Sequence, residues 1–120
     1  SINRLRQILK LSHPGTVRLV DRLEKDGLVE RRPGADGRTL ALFLTEAGQQ
    51  QRQVILDRRR QQLQIALDCL TASEQQQLTS LVEKMLAAMT TDETQADVLC
   101  RLCEIEVCPQ ECCPVEQQHR

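Results

Sequence analysis

Four side chains share one face of the stretch LSHPGTVRLVDRLEKDG (11–27): His13, Val17, Arg18 and Arg22. Arginine is the usual bidentate reader of guanine, histidine can hydrogen-bond a base edge, and an aliphatic side chain suits a thymine methyl. Arg22, a turn further on, is placed to meet the phosphate backbone. Ser12, with the free N–H groups of a helix start, can hold a phosphate. Pro14 falls in the first turn, where its missing N–H is not needed. Gly15 would let the helix approach closely. The opposite face carries Thr16, Leu19, Val20 and Leu23 at helical spacing, which predicts one buried stripe. The plainer alternative is that Arg18 and Arg22 pair with Asp21, Glu24 or Asp26, surface pairs worth little.

A second chemistry lies at the other end. Five cysteines, Cys100, Cys103, Cys108, Cys112 and Cys113, follow the pattern C-x2-C-x4-C-x3-C-C. Four thiolates make a closed zinc site, and Cys100-x2-Cys103 is a common first half of one. Cys108 with Cys112 or Cys113 would complete it, and His119 is a spare ligand. Glu104, Glu106, Glu111 and Glu116 surround these thiols. Negative charge raises a thiol pKa, which disfavours a free reactive thiolate and favours a bound cation. A redox switch that forms disulfides and an inert Cys-rich end are the alternatives. Cys69, beside Leu67 and Leu70, reads as a small buried core residue.

Composition narrows the partners. Phe43 is the one aromatic residue among 120, so there is no stacking platform for single-stranded nucleic acid. No run approaches the roughly 20 apolar residues that span a bilayer, and the start, SINRLRQILK, has no signal-peptide core. A soluble cytoplasmic protein is expected, with no membrane partner. Residues 1–60 carry 13 Lys/Arg and 7 Asp/Glu, whereas residues 61–120 carry 3 and 10. The first half alone is therefore suited to a polyanion. There is no Gly-rich phosphate loop and no evident carboxylate pair in a pocket, so an enzyme is not expected.

The elements that position these groups follow from periodicity. Ile2, Leu5, Ile8 and Leu9 predict a helix over 2–10. Ser12 caps a second helix over 13–26, which Gly27 closes with a left-handed residue. VERR (29–32) and TLALFLT (39–45) read as strands, and Asp36-Gly37 is a hairpin-turn signal. Thr45 caps a long helix over 46–70, with Leu56, Leu63, Leu67 and Leu70 as a seam. Thr71 and Glu74 have capping-box spacing and open a helix over 72–90, with Leu78, Leu81, Val82, Met85 and Met89 on one face. Another helical turn or two fits 91–99. The expected fold is mainly α with a small β-hairpin: a winged helix–turn–helix followed by long C-terminal helices of dimerisation type. The parts are 1–45, DNA-binding; 46–99, dimerisation and core; and 100–120, the Cys-rich tail.

The run LSHPGTVRLVDRLEKDGLVERRPGADGRTLALFLTEAG resembles the core of MarR-type (multiple antibiotic resistance regulator) winged helix–turn–helix repressors. Arg18 stands at the family's recognition-helix arginine, Asp36 and Arg38 at the wing's Asp-x-Arg, and Leu44, Thr45 and Gly48 at its closing L-T-x-x-G. The resemblance covers residues 2–48 and runs more loosely to about 90. It implies a homodimeric repressor that binds double-stranded DNA. Helix 13–26 would lie in the major groove, and the 33–38 wing, braced by Asp36, would send Arg38 into the minor groove, where its charge suits the negative potential. It implies an effector as well: a small molecule, a metal or an oxidant. Some members sense oxidants through cysteines, and a Cys-rich tail of this sort resembles one in a subset of the family. Lys10 stands where a glycine is typical. Members usually carry about two helices before this point, so an N-terminally truncated chain is expected. Two other readings stand beside this one: a protein-interaction or zinc-binding module whose winged helix does not read DNA, and a DNA-binding fragment deficient in dimerisation.

Overall fold

Ser1 opens α1 (Ile2–Leu9) by accepting the Arg4 N–H on its hydroxyl at 3.2 Å. The helix ends where Lys10 turns left-handed at φ 55°, which lets the Leu11 N–H reach Arg6 O at 3.2 Å. A side chain with a Cβ adopts that conformation at a cost of about 1–2 kcal/mol, which is why glycine is the easier residue there. The computed structural model describes residues 1–104 and 106–118; His119 lies outside them.

α2 (His13–Lys25) is capped by Ser12, whose hydroxyl accepts the Gly15 N–H at 3.2 Å. Thr16 and Val20 are buried, and Leu19 and Leu23 are half-buried beside them, as the helical spacing requires. Thr16 also satisfies its hydroxyl by donating to Ser12 O at 2.9 Å. Gly27, at φ +73°, ends the helix and lets the Leu28 N–H return to Leu23 O.

β1 (Val29–Pro33) and β2 (Leu40–Leu44) form an antiparallel hairpin in register from Val29↔Leu44 to Pro33↔Leu40. Residues 34–39 connect them, a longer link than a two-residue turn. Gly34 N–H donates to Thr39 O at 2.7 Å, and Gly37 takes φ +66° at the tip.

α3 (Glu46–Leu67) begins on Thr45. Its hydroxyl accepts the Gly48 N–H at 3.0 Å and donates to Gly27 O at 2.6 Å, while its backbone N–H donates to Leu28 O at 3.1 Å. One threonine thus caps α3 and ties it to the end of α2. Gly48 is buried against that junction: a Cβ there would lie 2.0 Å from Leu28 O. α3 stops at Leu67, short of the expected residue 70, because Gln75 turns back to donate to Leu67 O at 3.0 Å and Thr71 opens the next helix. Cys69 therefore lies in a turn and off any helical seam. It is exposed, with its Sγ donating to Ala66 O at 3.1 Å, which corrects the expectation of a buried core thiol.

Both halves of the capping box on α4 (Ala72–Met89) are present, Thr71 Oγ1 with the Glu74 N–H and Glu74 Oε1 with the Thr71 N–H. Those backbone and hydroxyl donors hold the Glu74 carboxyl below its usual range. Asp92 caps α5 (Glu93–Cys100), whose 8 residues supply the helical turns expected over 91–99. Two 3-10 turns follow, at Gln110–Cys112 and Glu116–Gln118.

The chain divides into two compact units, Ser1–Ile55 and Leu56–Arg120. In the first, α1, α2 and the hairpin enclose an apolar groove of about 390 Å³ lined by residues such as Leu5, Ile8, Val20 and Leu42. In the second, Leu56, Thr90, Ala96, Val98 and Val115 are buried. The apolar face of α4 is not: Leu78, Leu81, Val82, Met85 and Met89 are all exposed, as is Leu63 of the α3 seam. Among the described residues, no helix is long and apolar enough to cross a membrane.

Candidate nucleic-acid interface

The exposed face of α2 carries His13, Pro14, Arg18 and Arg22. Val17, expected to stand exposed in that row, is half-buried, because it borders the buried Thr16 and Val20 stripe. Its free surface is correspondingly smaller. Ser12 is committed to its cap, Pro14 has no N–H, and the Thr16 N–H donates to Ser12 O. The donors left for an anion at this helix start are the His13 N–H and the Ser12 hydroxyl hydrogen. Gly15 serves the cap as well: a Cβ there would sit 3.0 Å from Ser12 Oγ.

The acidic residues of α2 are already engaged. Arg31, on β1, donates to Asp21 Oδ1 at 2.6 Å and also pairs with Glu24. The Asp21 hydrogen bond raises the Arg31 pKa further, so this guanidinium is a fixed cation. Asp21 and Glu24 lie three residues apart on one helix face, so one strand guanidinium can span both. Arg18, Arg22 and Arg38 have no carboxylate partner among the described residues. Intrahelical pairing, the plainer alternative for Arg18 and Arg22, is therefore not what the molecule adopts. Sequence reasoning missed Arg31. The signal was there: an acid pair three residues apart in α2, followed by consecutive arginines in the next strand.

The wing is organised by Asp36. Its Oδ1 accepts the Arg38 N–H at 3.0 Å, the Thr39 N–H at 3.1 Å and the Thr39 hydroxyl at 2.9 Å. These donors, the Thr39 backbone first, hold the Asp36 carboxyl below its usual range. Arg38 is exposed next to this brace. At the base of the wing, Arg32 lies over the Phe43 ring, 4.9 Å from its centroid, and pairs with Glu30. The lone aromatic residue thus stiffens the hairpin.

In the second unit, Cys100 ends α5 and the other tail cysteines follow in short turns. Cys100, Cys108 and Cys113 are half-buried, while Cys103 and Cys112 are exposed. Burial pushes the Cys100 thiol up to about 11, and the charges of Cys103, Cys113, Glu116 and Cys108 add to it. Burial raises Cys108 too, with Cys113 and Cys103 nearby and a hydrogen bond to Cys113. Cys112 is apart, its Sγ directed at Pro109 O, 3.5 Å away. Among the described residues, no group of three or more His, Cys, Asp or Glu is arranged, as it stands, to hold a metal ion.

A helix–turn–helix joined to a two-stranded wing, with unpaired arginines on the second helix and at the wing tip, defines the winged helix–turn–helix class. Residues 1–39 match the model of the MarR family. A crystal structure of the transcriptional regulator SlyA aligns with a TM-score of 0.54 at 24% identity, over 70% of this chain and 60% of that one, a likeness of fold. A MarR protein from Peptoclostridium difficile aligns with the same TM-score at 27% identity, over 70% of this chain and 56% of that one. The chain thus spans less than two thirds of the length of either structure. No curated protein sequence matches it. The winged helix of this chain shares its fold with these two structures, and its residues 1–39 carry the sequence pattern of the MarR family.

Proposed function

We propose that this chain is a cytoplasmic transcriptional regulator, a repressor acting as a homodimer on double-stranded DNA. The carrying observation is that Arg31 takes the carboxylates of α2, so Arg18 and Arg22 stay free on its exposed face. In this reading α2 enters the major groove. His13 and Arg18 meet base edges, the remaining surface of Val17 meets a thymine methyl, and Arg22 meets the backbone. Ser12, Pro14 and Gly15 form the helix start that faces a phosphate, through the Ser12 hydroxyl and the His13 N–H. The 33–38 wing follows the minor groove with Arg38 inserted and Asp36 as its brace. Two such helices, about one DNA turn apart, would read a pseudo-palindromic site. The exposed apolar face of α4 supports the homodimer. The cysteine tail is the signal-responsive part, through metal or redox chemistry.

Fluorescence anisotropy of a labelled random-sequence duplex, titrated with salt, tests the DNA reading. The wild-type chain should lose affinity steeply between about 50 and 200 mM salt. Arg18→Ala combined with Arg38→Ala should remove most of the binding. Binding that ignores both arginines would favour a protein-interaction or zinc-binding module instead.

A further inference from the structure

We propose that Arg31 is a positioning residue for DNA binding: it holds the Asp21 carboxylate away from Arg18 and so keeps that guanidinium available on the exposed face of α2. The inference deepens the DNA reading of that helix and rests on it for its consequence. Arg31 itself need touch neither base nor phosphate.

Asp21 is the carboxylate in dispute. It lies three residues after Arg18 on α2, a spacing at which helix-surface charges pair. At 3.6 residues per turn the two side chains project about 60° apart around the helix axis. Yet Asp21 Oδ1 accepts from Arg31 Nη2 at 2.6 Å, and Arg18 has no carboxylate partner among the described residues. Arg31 prevails for two reasons. Its other terminal nitrogen, Nη1, donates to Glu24, so one planar guanidinium is fixed by two carboxylates at once. Its backbone is also held in the hairpin, opposite Leu42, and its side chain is only 24% exposed. A pair between Asp21 and the solvated Arg18 would be more strongly screened.

Glu24 provides an internal contrast. The residues three and four positions away from it are Val20, Asp21, Gly27 and Leu28, none of them a cation. Released from Arg31, Glu24 therefore captures no arginine of the exposed face, whereas Asp21 captures Arg18. Lys25, four residues after Asp21, is the other claimant, but it stands in the last turn, where the helix carbonyls already draw it. The two carboxylates of one ion-pair cluster thus differ in what they do on release. A bridge that merely fastened α2 to β1 would treat them alike.

Two measurements on the full chain test this. In the free protein, nuclear magnetic resonance should show the Arg18 Nε–H exchanging with solvent more slowly in Arg31→Gln than in the wild type, and adding Asp21→Asn should abolish that slowing. In fluorescence anisotropy with a labelled duplex at about 50 mM salt, Arg31→Gln should weaken binding about two- to fivefold, the scale of one surface pair gained and one charge left unneutralised beside the phosphates. Asp21→Asn in that chain should restore the wild-type affinity, Glu24→Gln should not, and Asp21→Asn alone should change little. Unchanged Arg18 exchange, or wild-type affinity in Arg31→Gln, would overturn the proposal. Equal rescue by both carboxylate substitutions would also overturn it, since bulk charge would then explain the loss. So would rescue by neither, which would mark a displaced wing or a direct contact of Arg31 with DNA. A wild-type chain that binds no duplex would sink the DNA reading instead, and the exchange measurement would still decide whether Arg31 withholds Asp21.

Discussion

At the scale of single residues, the most constrained position is Gly48. The motif L-T-x-x-G was legible in the sequence, but the reason for its glycine was not. Periodicity treats Gly48 as one more residue in the first turn of a helix. The structure places it where α3 meets the backbone of Leu28, with a Cβ only 2.0 Å from Leu28 O. That oxygen also accepts the Thr45 N–H, so it cannot move aside without breaking the junction. Gly48→Ala should therefore cost about 1–3 kcal/mol through overpacking, although alanine is the better helix former. Urea denaturation followed by circular dichroism would check this. A variant as stable as the parent would mean that the helix start can shift, and that the close approach is not required. Cys69 shows the opposite limit. Its neighbours Leu67 and Leu70 suggested a continuous seam, and only the early end of α3 reveals it as a turn residue.

At the scale of elements, helix boundaries were legible wherever a capping side chain marks them: Ser12, Thr45 and Thr71 each stand at the start of the helix they predict. Contacts between elements were not, because they depend on three-dimensional proximity that no period encodes. Arg31 is the clearest case, joining β1 to two carboxylates of α2. The wing lies between these limits. Asp36 was legible as its brace, but not its three donors, which span the tip. Those donors stabilise the charged carboxylate, so its pKa is lower in the folded wing than in an open one. A group depressed in this way lends stability above its unfolded pKa and loses it as pH falls through the folded value. The wing should thus be fully braced at neutral pH and should loosen only below about pH 4, where the free carboxyl begins to protonate. The Arg38 and Thr39 amide resonances should shift together in that window. In Asp36→Asn the shift should vanish, and both amides should exchange faster at pH 7. Unchanged exchange in that variant would mean that the turn geometry holds the wing without the carboxylate.

At the scale of the whole molecule, composition and structure agree on a division of labour. The basic half of the sequence holds the free arginines of α2 and the wing, and the acidic half holds α4, α5 and the cysteine turns. What composition left open is how the long helices are used. The leucine pattern fits packing within one chain as well as it fits packing between two, since both need a stripe at the same spacing. Leu56 is buried within its own unit, whereas Leu78, Leu81, Val82, Met85 and Met89 of α4 are exposed together. Contiguous exposed apolar surface of that kind marks an interaction site, and in the proposed homodimer it is the face that a second copy covers. Leu81→Asp with Met85→Asp should then leave a folded monomer, because neither side chain contributes to the buried set of its unit. Analytical ultracentrifugation should show the loss of a concentration-dependent dimer. Affinity for a two-half-site duplex should fall by about 10²- to 10⁴-fold, the loss expected when two linked contacts become one, while binding to a single half-site stays unchanged. A dimer that survives both substitutions would move the interface away from α4, and a loss of affinity without a change in mass would mean that the α4 face touches DNA itself.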